Sequence, residues 1–247
     1  MNLIVDAGNT QIKWAVFDHS DFVVKQSVED WNDLDLSFIL KNYPEIDYCL
    51  VSSTRDYKNI FFNLLEKNGV EVYRLSGETP LPIKISYETP ESLGLDRVAG
   101  SIGAMLDCPG HPVLVIDMGT AITYNMVSAD GVFLGGNISP GMKIRFLSLY
   151  RFTDKLPLVE FDDRDILIGT STSGAIRAGV QNGIVYEIEN CINALKNKYN
   201  GLRVFLTGGS SEYFVKKLKK PIFVNPNLVL IGLNHILDHQ IKNMGRR

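Results

Sequence analysis

The stretch LIVDAGNTQIKWAVFD (3–18) decides how the rest of the chain is read. Leu3 to Val5 form a short β-prone apolar run that ends at Asp6, and Ala7-Gly8-Asn9-Thr10 supplies the chemistry of a tight turn. Ile12, Trp14, Val16 and Phe17 resume a strand, a turn follows at 18–21, and 22–28 make a third strand. The pattern returns as VLVIDMGTAITYNMVSADG (113–131). Aligning Asp6 with Asp117 also aligns Gly8 with Gly119. Here too a third β-rich run follows, at 132–138, behind the hairpin dipeptide Asp130-Gly131.

Working outward, periodicity predicts helices over 34–40, 57–67 and 95–106, with strands at 48–52 and 70–75. The stretch 77–90, with three prolines, reads as a connector. Cys108-Pro109-Gly110-His111-Pro112 is the sharpest punctuation in the chain. Beyond it come helices at 142–150, 169–197, 211–218 and 228–239, with strands at 203–206 and 222–224. Each half opens with three strands and then alternates helix and strand. That predicts a duplicated α/β fold with halves 1–110 and 111–247, each a three-strand-led mixed sheet with flanking helices. Two halves facing across a cleft would present both Asp-x-Gly turns to one nucleotide.

The 247 residues carry 25 Lys+Arg against 28 Asp+Glu, a net charge of −3, and 45% are apolar. Such a chain buries a core without staples. Its charge offers no basic field for nucleic acid and no polybasic membrane patch. Three widely spaced cysteines make no zinc or disulfide pattern. The start, MNLIVDAG, is not a signal peptide, and every apolar run is too short to span a bilayer. A cytoplasmic location is expected.

Several motifs fail. Gly169-Thr170-Ser171-Thr172-Ser173-Gly174 has P-loop spacing, but Ala175 and Ile176 stand where Lys and Ser or Thr are needed. No Gly-x-Gly-x-x-Gly follows the first strand. His235 and His239 are four apart, with no third ligand; an exposed face of the last helix is the simpler reading.

What survives is a set of turns. Asp6 stands at a strand end, where a carboxylate can hold hydrated magnesium, and the following glycine turn can aim N–H groups at phosphate. Lys13 can neutralise a transferring phosphoryl group, or can be a solvated strand lysine. Asp117 to Ala121 repeat that turn, and both aspartates can equally serve only to organise their turns. Gly94-Leu95-Asp96-Arg97 open a helix, where Asp96 is either a general base for a hydroxyl or a cap paired with Arg97. Gly135 to Gly141 and Leu206 to Gly209 place glycines between strands and helices, as structural turns or as close-approach sites for a ligand.

In this order, DAGNTQIK (6–13), YETPESLGLDR (87–97), DMGTAIT (117–123), GGNISPGM (135–142), GTSTSGAIRAG (169–179), LTGG (206–209) and NPNLVLIGL (225–233) resemble the type III pantothenate kinases over nearly the whole chain. Those belong to the actin, sugar-kinase and heat-shock-protein superfamily, whose halves are ribonuclease-H-like. The resemblance implies ATP-dependent phosphorylation of the terminal hydroxyl of pantothenate, which starts coenzyme A synthesis. It implies that Asp6, Ala7, Gly8, Asn9, Thr10, Gln11, Ile12 and Lys13 form the ATP phosphate loop and that Thr120 contacts ATP. Asp96 becomes the proton acceptor. Gly94, Leu95, Asp96 and Arg97 contact pantothenate, with Tyr87 and Thr172 lining its pocket. Asp117 matches the position that binds potassium or ammonium, magnesium accompanies ATP, and the family acts as a homodimer. Ser173-Gly174 depart from the bulkier residues of many relatives. A regulator on the same scaffold, or a kinase for another small hydroxyl compound, is the alternative; intact Asp6, Asp96 and Asp117 speak against a non-catalytic regulator.

Overall fold

The computed structural model describes residues 1–54, 59–219 and 221–244. The chain opens with β1 (Asn2–Ala7), β2 (Ile12–Asp18) and β3 (Asp21–Val28), then α1 (Leu36–Asn42), β4 (Tyr48–Ser53), α2 (Asn59–Lys67), β5 (Glu71–Arg74), β6 (Lys84–Ile85) and α3 (Leu95–Asp107). It continues with β7 (Val113–Met118), β8 (Ala121–Val127), β9 (Val132–Pro140), α4 (Met142–Arg151) and α5 (Thr172–Lys198). The last elements are β10 (Arg203–Thr207), α6 (Ser211–Val215), β11 (Phe223–Val224) and α7 (Leu228–Met244).

Contacts divide these elements into two units. Unit 1 comprises Met1–Pro109, Gly131–Leu134 and Asn227–Arg247, and unit 2 comprises Gly110–Asp130 and Gly135–Pro226. The first boundary falls beside the Cys108–Pro112 punctuation. The end of the chain does not follow the linear division at 110/111, because α7 packs with unit 1.

Unit 1 carries a five-stranded sheet in the order β3-β2-β1-β4-β5. β1 pairs antiparallel with β2 and parallel with β4. Leu3, Ile4 and Val5 are wholly buried, as a central strand covered on both faces requires. Trp14, Val16, Ile39, Phe62 and Leu65 join them in the core. Asp35 starts α1 by accepting a hydrogen bond from the Phe38 amide at 2.9 Å.

Helices α3 and α7 lie unusually close. A Cβ on Gly103 would stand 2.2 Å from the Leu228 carbonyl oxygen, and one on Gly232 only 1.8 Å from that of Ala99. Asn2 Nδ2 donates to Asn234 Oδ1 at 2.9 Å and Asp238 Oδ1 at 3.0 Å, while Asn234 Nδ2 reaches the His19 carbonyl at 2.8 Å. The end of the chain is thus tied to its first strand.

Unit 2 repeats the plan. Its strands run β11-β10-β7-β8-β9, with β7 antiparallel to β8 and parallel to β10. Ile176, Val180, Ile184, Ile188 and Ile192 recur every fourth residue along α5 and bury one stripe against β7, β8 and β10 residues of the core. Among the described residues no helix is long and apolar enough to cross a membrane.

Local expectations shift in five places. The helix expected from 169 begins at Thr172, because Ser171 is extended (φ −139°) and accepts from the Gly174 amide at 3.1 Å. The connector 77–90 contains β6, which pairs in parallel with the start of β9. α6 stops at Val215, short of the expected 218, and α7 runs on to Met244. His235 and His239 are half-buried instead of exposed, because α7 is covered on more than one side; burial pushes the His235 pKa below its ordinary value. Tyr57 and Lys58, the expected start of a helix, lie outside the described residues.

Candidate active site

In unit 1, β1 ends at the first candidate turn. Asp6 stands directly opposite Lys13 on β2 and beside Ser52 on β4, so the side chains of Asp6 and Lys13 share one face of the sheet. The Gly8 amide donates to the Gln11 carbonyl at 3.1 Å, closing the turn, and Asn9, Thr10 and Gln11 are exposed at its tip. Thr54, just past β4, braces it: its amide reaches the Ala7 carbonyl at 3.0 Å, and its hydroxyl meets Ala7 O and Asn9 Oδ1 at 3.3 Å each. A Cβ on Gly8 would meet nothing closer than Gln11 O at 3.5 Å, so the chain itself leaves the outer face of the turn open.

Also in unit 1, Gly94 is the N-cap of α3 and Asp96 lies in its first turn. The Asp96 side chain curls back over Gly94: a Cβ there would stand 2.6 Å from Asp96 Oδ1. The glycine therefore leaves room for an exposed carboxylate beside the N–H groups of the helix end, where negative charge is favoured. Leu95 is half-buried in the same turn.

Arg97, next along, is only 7% exposed. Its guanidinium carbon lies 5.8 Å from the ring centroids of both Tyr87 and Phe133, and those rings meet edge to face at 6.3 Å. Phe133 arrives through strand pairing: Ile85 is its register partner and the Ser86 amide donates to its carbonyl at 2.9 Å. The structure thus brings Tyr87 and Arg97 together and adds Phe133, which no sequence motif singles out.

In unit 2, Asp117 occupies the place in β7 that Asp6 occupies in β1, between an antiparallel partner, Thr123, and a parallel one, Thr207. Two glycines close on it. Gly208, at φ +89°, comes so near that a Cβ would stand 2.4 Å from Asp117 Oδ1; the Ser210 amide then reaches the Met118 carbonyl at 3.2 Å. Gly141 donates to the Thr120 carbonyl at 3.1 Å, and its own Cβ would stand within 2.5 Å of the Gly119 and Thr120 carbonyl oxygens. Thr120 is exposed at the turn. Gly141 of GGNISPG and Gly208 of LTGG, ambiguous as sequence, therefore serve the Asp117 turn, whereas Gly136 lies against the Tyr124 carbonyl of β8. Only the tertiary structure reveals it.

Thr172 belongs to a second feature of unit 2, the exposed first residue of α5. It borders an open groove of about 600 Å³ between α4 and α5, whose walls include Arg145, Leu149, Leu156 and Ile176. Among the described residues no cluster of three His, Cys, Asp or Glu side chains is poised for a metal. Each Asp-x-Gly turn offers a carboxylate together with carbonyl oxygens. That all-oxygen donor set suits a hard cation whose remaining ligands come from phosphate or water.

Twin sheets, each led by three strands and each carrying an Asp-x-Gly turn between its central strand and an antiparallel neighbour, define the actin and sugar-kinase class. Solved structures agree on the fold. A Baf family protein from Campylobacter jejuni superposes with a TM-score of 0.64 at 18% identity, covering 97% of this chain and 99% of that one. A ROK family glucokinase from Streptomyces griseus matches with a TM-score of 0.51 at 10% identity, covering 96% and 99%. At the level of sequence, a protein from Bacteroides fragilis named type III pantothenate kinase is 45% identical over 247 residues, all of both chains. The family model for type III pantothenate kinase matches residues 2–194. The chain belongs to the type III pantothenate kinase family and is a kinase.

Proposed function

We propose that this protein transfers the γ-phosphoryl group of ATP to the terminal hydroxyl of pantothenate, giving 4'-phosphopantothenate and ADP at the start of coenzyme A synthesis. The observation that carries the reading is the first turn of α3. It combines an exposed Asp96 carboxylate folded over Gly94 with a buried Arg97 set against two aromatic rings.

Phosphoryl transfer asks the protein mainly to position and neutralise. In this reading the pantothenate hydroxyl donates its proton to Asp96 as its oxygen bonds to the γ-phosphorus and the bond to the ADP oxygen breaks. Gly94, Leu95 and Arg97 orient the substrate, with Tyr87 and Thr172 lining its pocket. The turn from Asp6 to Lys13 receives the ATP phosphates: its open outer face at Gly8 leaves room for them, and Lys13 offsets their charge. Thr120 contacts ATP. Asp6 would hold magnesium and Asp117 potassium or ammonium; bound cations supply neutralisation of phosphate oxygens. The same reading takes 1–110 and 111–247 as descendants of one duplicated ribonuclease-H-like half, which the matched placement of Asp6 and Asp117 supports.

A homodimer is part of the proposal. Phe152, Leu167 and Ile168 of unit 2, 87%, 75% and 80% exposed, are apolar side chains that a partner subunit would cover. A cytoplasmic location fits a kinase that draws on ATP.

The test is transfer of radiolabelled phosphate from ATP to pantothenate by the purified protein, with and without potassium or ammonium, beside a panel of other small hydroxyl compounds. Pantothenate should be the preferred acceptor, and removal of both monovalent cations should lower the rate. Asp96→Asn should lower kcat by about 10²–10⁴-fold, the usual worth of a general base, without altering the melting temperature. Near-normal turnover by that variant would sink the assignment of Asp96, and preference for a sugar would overturn the choice of substrate.

A further inference from the structure

Arg145 and Glu187 take no part in the motifs that mark the site, yet they join four elements of unit 2. Arg145 lies in the first turn of α4. Its Nε donates to the Pro140 carbonyl at 2.7 Å, and its Nη2 donates to Glu187 Oε2 at 2.5 Å and Ser139 Oγ at 3.2 Å. Glu187, on α5, accepts on Oε1 from the Tyr124 hydroxyl of β8 at 2.7 Å and the Ser139 hydroxyl of β9 at 2.6 Å. Burial acts to raise the Glu187 pKa, but the hydrogen bonds from Arg145, Ser139 and Tyr124 outweigh it and hold the carboxyl below its ordinary range.

What this network grips is the segment Ser139-Pro140-Gly141. The far end of that segment is already locked: the Gly141 amide donates to the Thr120 carbonyl, and there is no room for a Cβ between Gly141 and the Gly119–Thr120 backbone. The segment is therefore clasped on one side by Arg145 and Glu187 and seated on the Asp117 turn on the other. Arg145 also forms part of the groove wall that Thr172 borders. Partly buried ion pairs contribute little net stability compared with apolar packing, but a planar fork bonded to three acceptors fixes orientation.

We infer that Arg145 and Glu187 are positioning residues of the kinase: by clamping 139–141 they set where the Gly119–Thr120 turn stands when it meets ATP, and they couple that turn to the Thr172 groove. The inference rests on Thr120 being an ATP contact, as proposed above. A clamp that merely held the fold together would lower stability without touching nucleotide affinity.

The experiment is calorimetric titration of the full-length protein with magnesium-ATP in the absence of pantothenate, with steady-state kinetics and melting temperatures alongside. Glu187→Gln and Arg145→Lys should each weaken ATP binding and raise the KM for ATP by about tenfold, with kcat changed less than about threefold, as a misplaced contact predicts. Lysine should fail to rescue because one ammonium cannot span the Pro140 carbonyl and Glu187 together. Tyr124→Phe removes one hydrogen bond of the network and Ser139→Ala two; both keep the ion pair and should shift affinity in the same direction by a smaller factor. They also keep the test decisive if Glu187→Gln does not fold. Thr120→Ala serves as the reference. If it weakens ATP binding while the clamp variants bind as the wild type does, the clamp proposal falls alone. If Thr120→Ala leaves binding unchanged, the reading of Thr120 falls and takes the clamp with it.

Discussion

A buried guanidinium is costly unless its surroundings hold it, and at Arg97 two ring faces do so. Phe133 is wholly buried and lies on a strand far from Arg97 in sequence; its ring centroid stands 5.8 Å from the guanidinium carbon. Phe133→Leu keeps most of the apolar volume and removes the π-face. It should raise the KM for pantothenate by about three- to tenfold, a cation–π contribution of about 1 kcal/mol, and leave the KM for ATP unchanged. Equal changes in both constants would show that the ring only supports the fold. Asp6, Asp96 and Asp117 stand out in the sequence as aspartates beside glycines at strand or helix ends; turns and helix caps use the same pattern, and the family resemblance chooses between those uses. Phe133, Thr54, Gly141 and Gly208 do not stand out. Each acts on residues distant in the chain, and nothing in its own neighbourhood records that contact.

Among the elements, α3 and α7 carry the tightest constraint. With a Gly232 Cβ placed only 1.8 Å from the Ala99 carbonyl oxygen, the helices could accept alanine only by moving apart. Gly232→Ala should destabilise the protein by about 2–3 kcal/mol despite alanine's better helix propensity. That corresponds to a fall in melting temperature of about 4–12 °C, measurable by scanning calorimetry. An unchanged or higher melting point would mean that propensity outweighs the clash. Strand and helix identities were readable from apolar alternation and periodicity, and the three leading strands of each unit fall where their runs predict. The ends were harder. The start of α5 turns on a serine cap three residues inside the expected helix, and the end of α7 on packing that continues past His239. β6 is two residues long and exists only because the start of β9 lies beside it.

For the whole molecule, unit 1 is assembled from segments at both ends of the chain. Leu228, Leu230, Leu233, Ile236 and Leu237 of α7 are buried there, with Asn234 bonded to Asn2 and to the His19 carbonyl. Deleting residues 227–247 should therefore unfold the N-terminal unit instead of trimming a C-terminal one. The truncated protein should lose near-ultraviolet dichroism and aggregate, whereas Leu233→Ala should remain folded but be destabilised by about 2–5 kcal/mol. A truncated chain that stays soluble with native dichroism would contradict this organisation. By itself the sequence determined the duplicated α/β plan, the two Asp-x-Gly turns, the catalytic candidate at Asp96 and the family. Those are local patterns of side-chain type and spacing, and local chemistry is what a sequence displays directly. Tertiary structure alone decided that α7 returns to the first strand, that Phe133 reaches Arg97, and that Gly141 and Gly208 close on the Asp117 turn. The first two depend on side chains meeting across segments distant in the chain, and the last on close approach of backbones, where the only trace in sequence is the absence of a side chain.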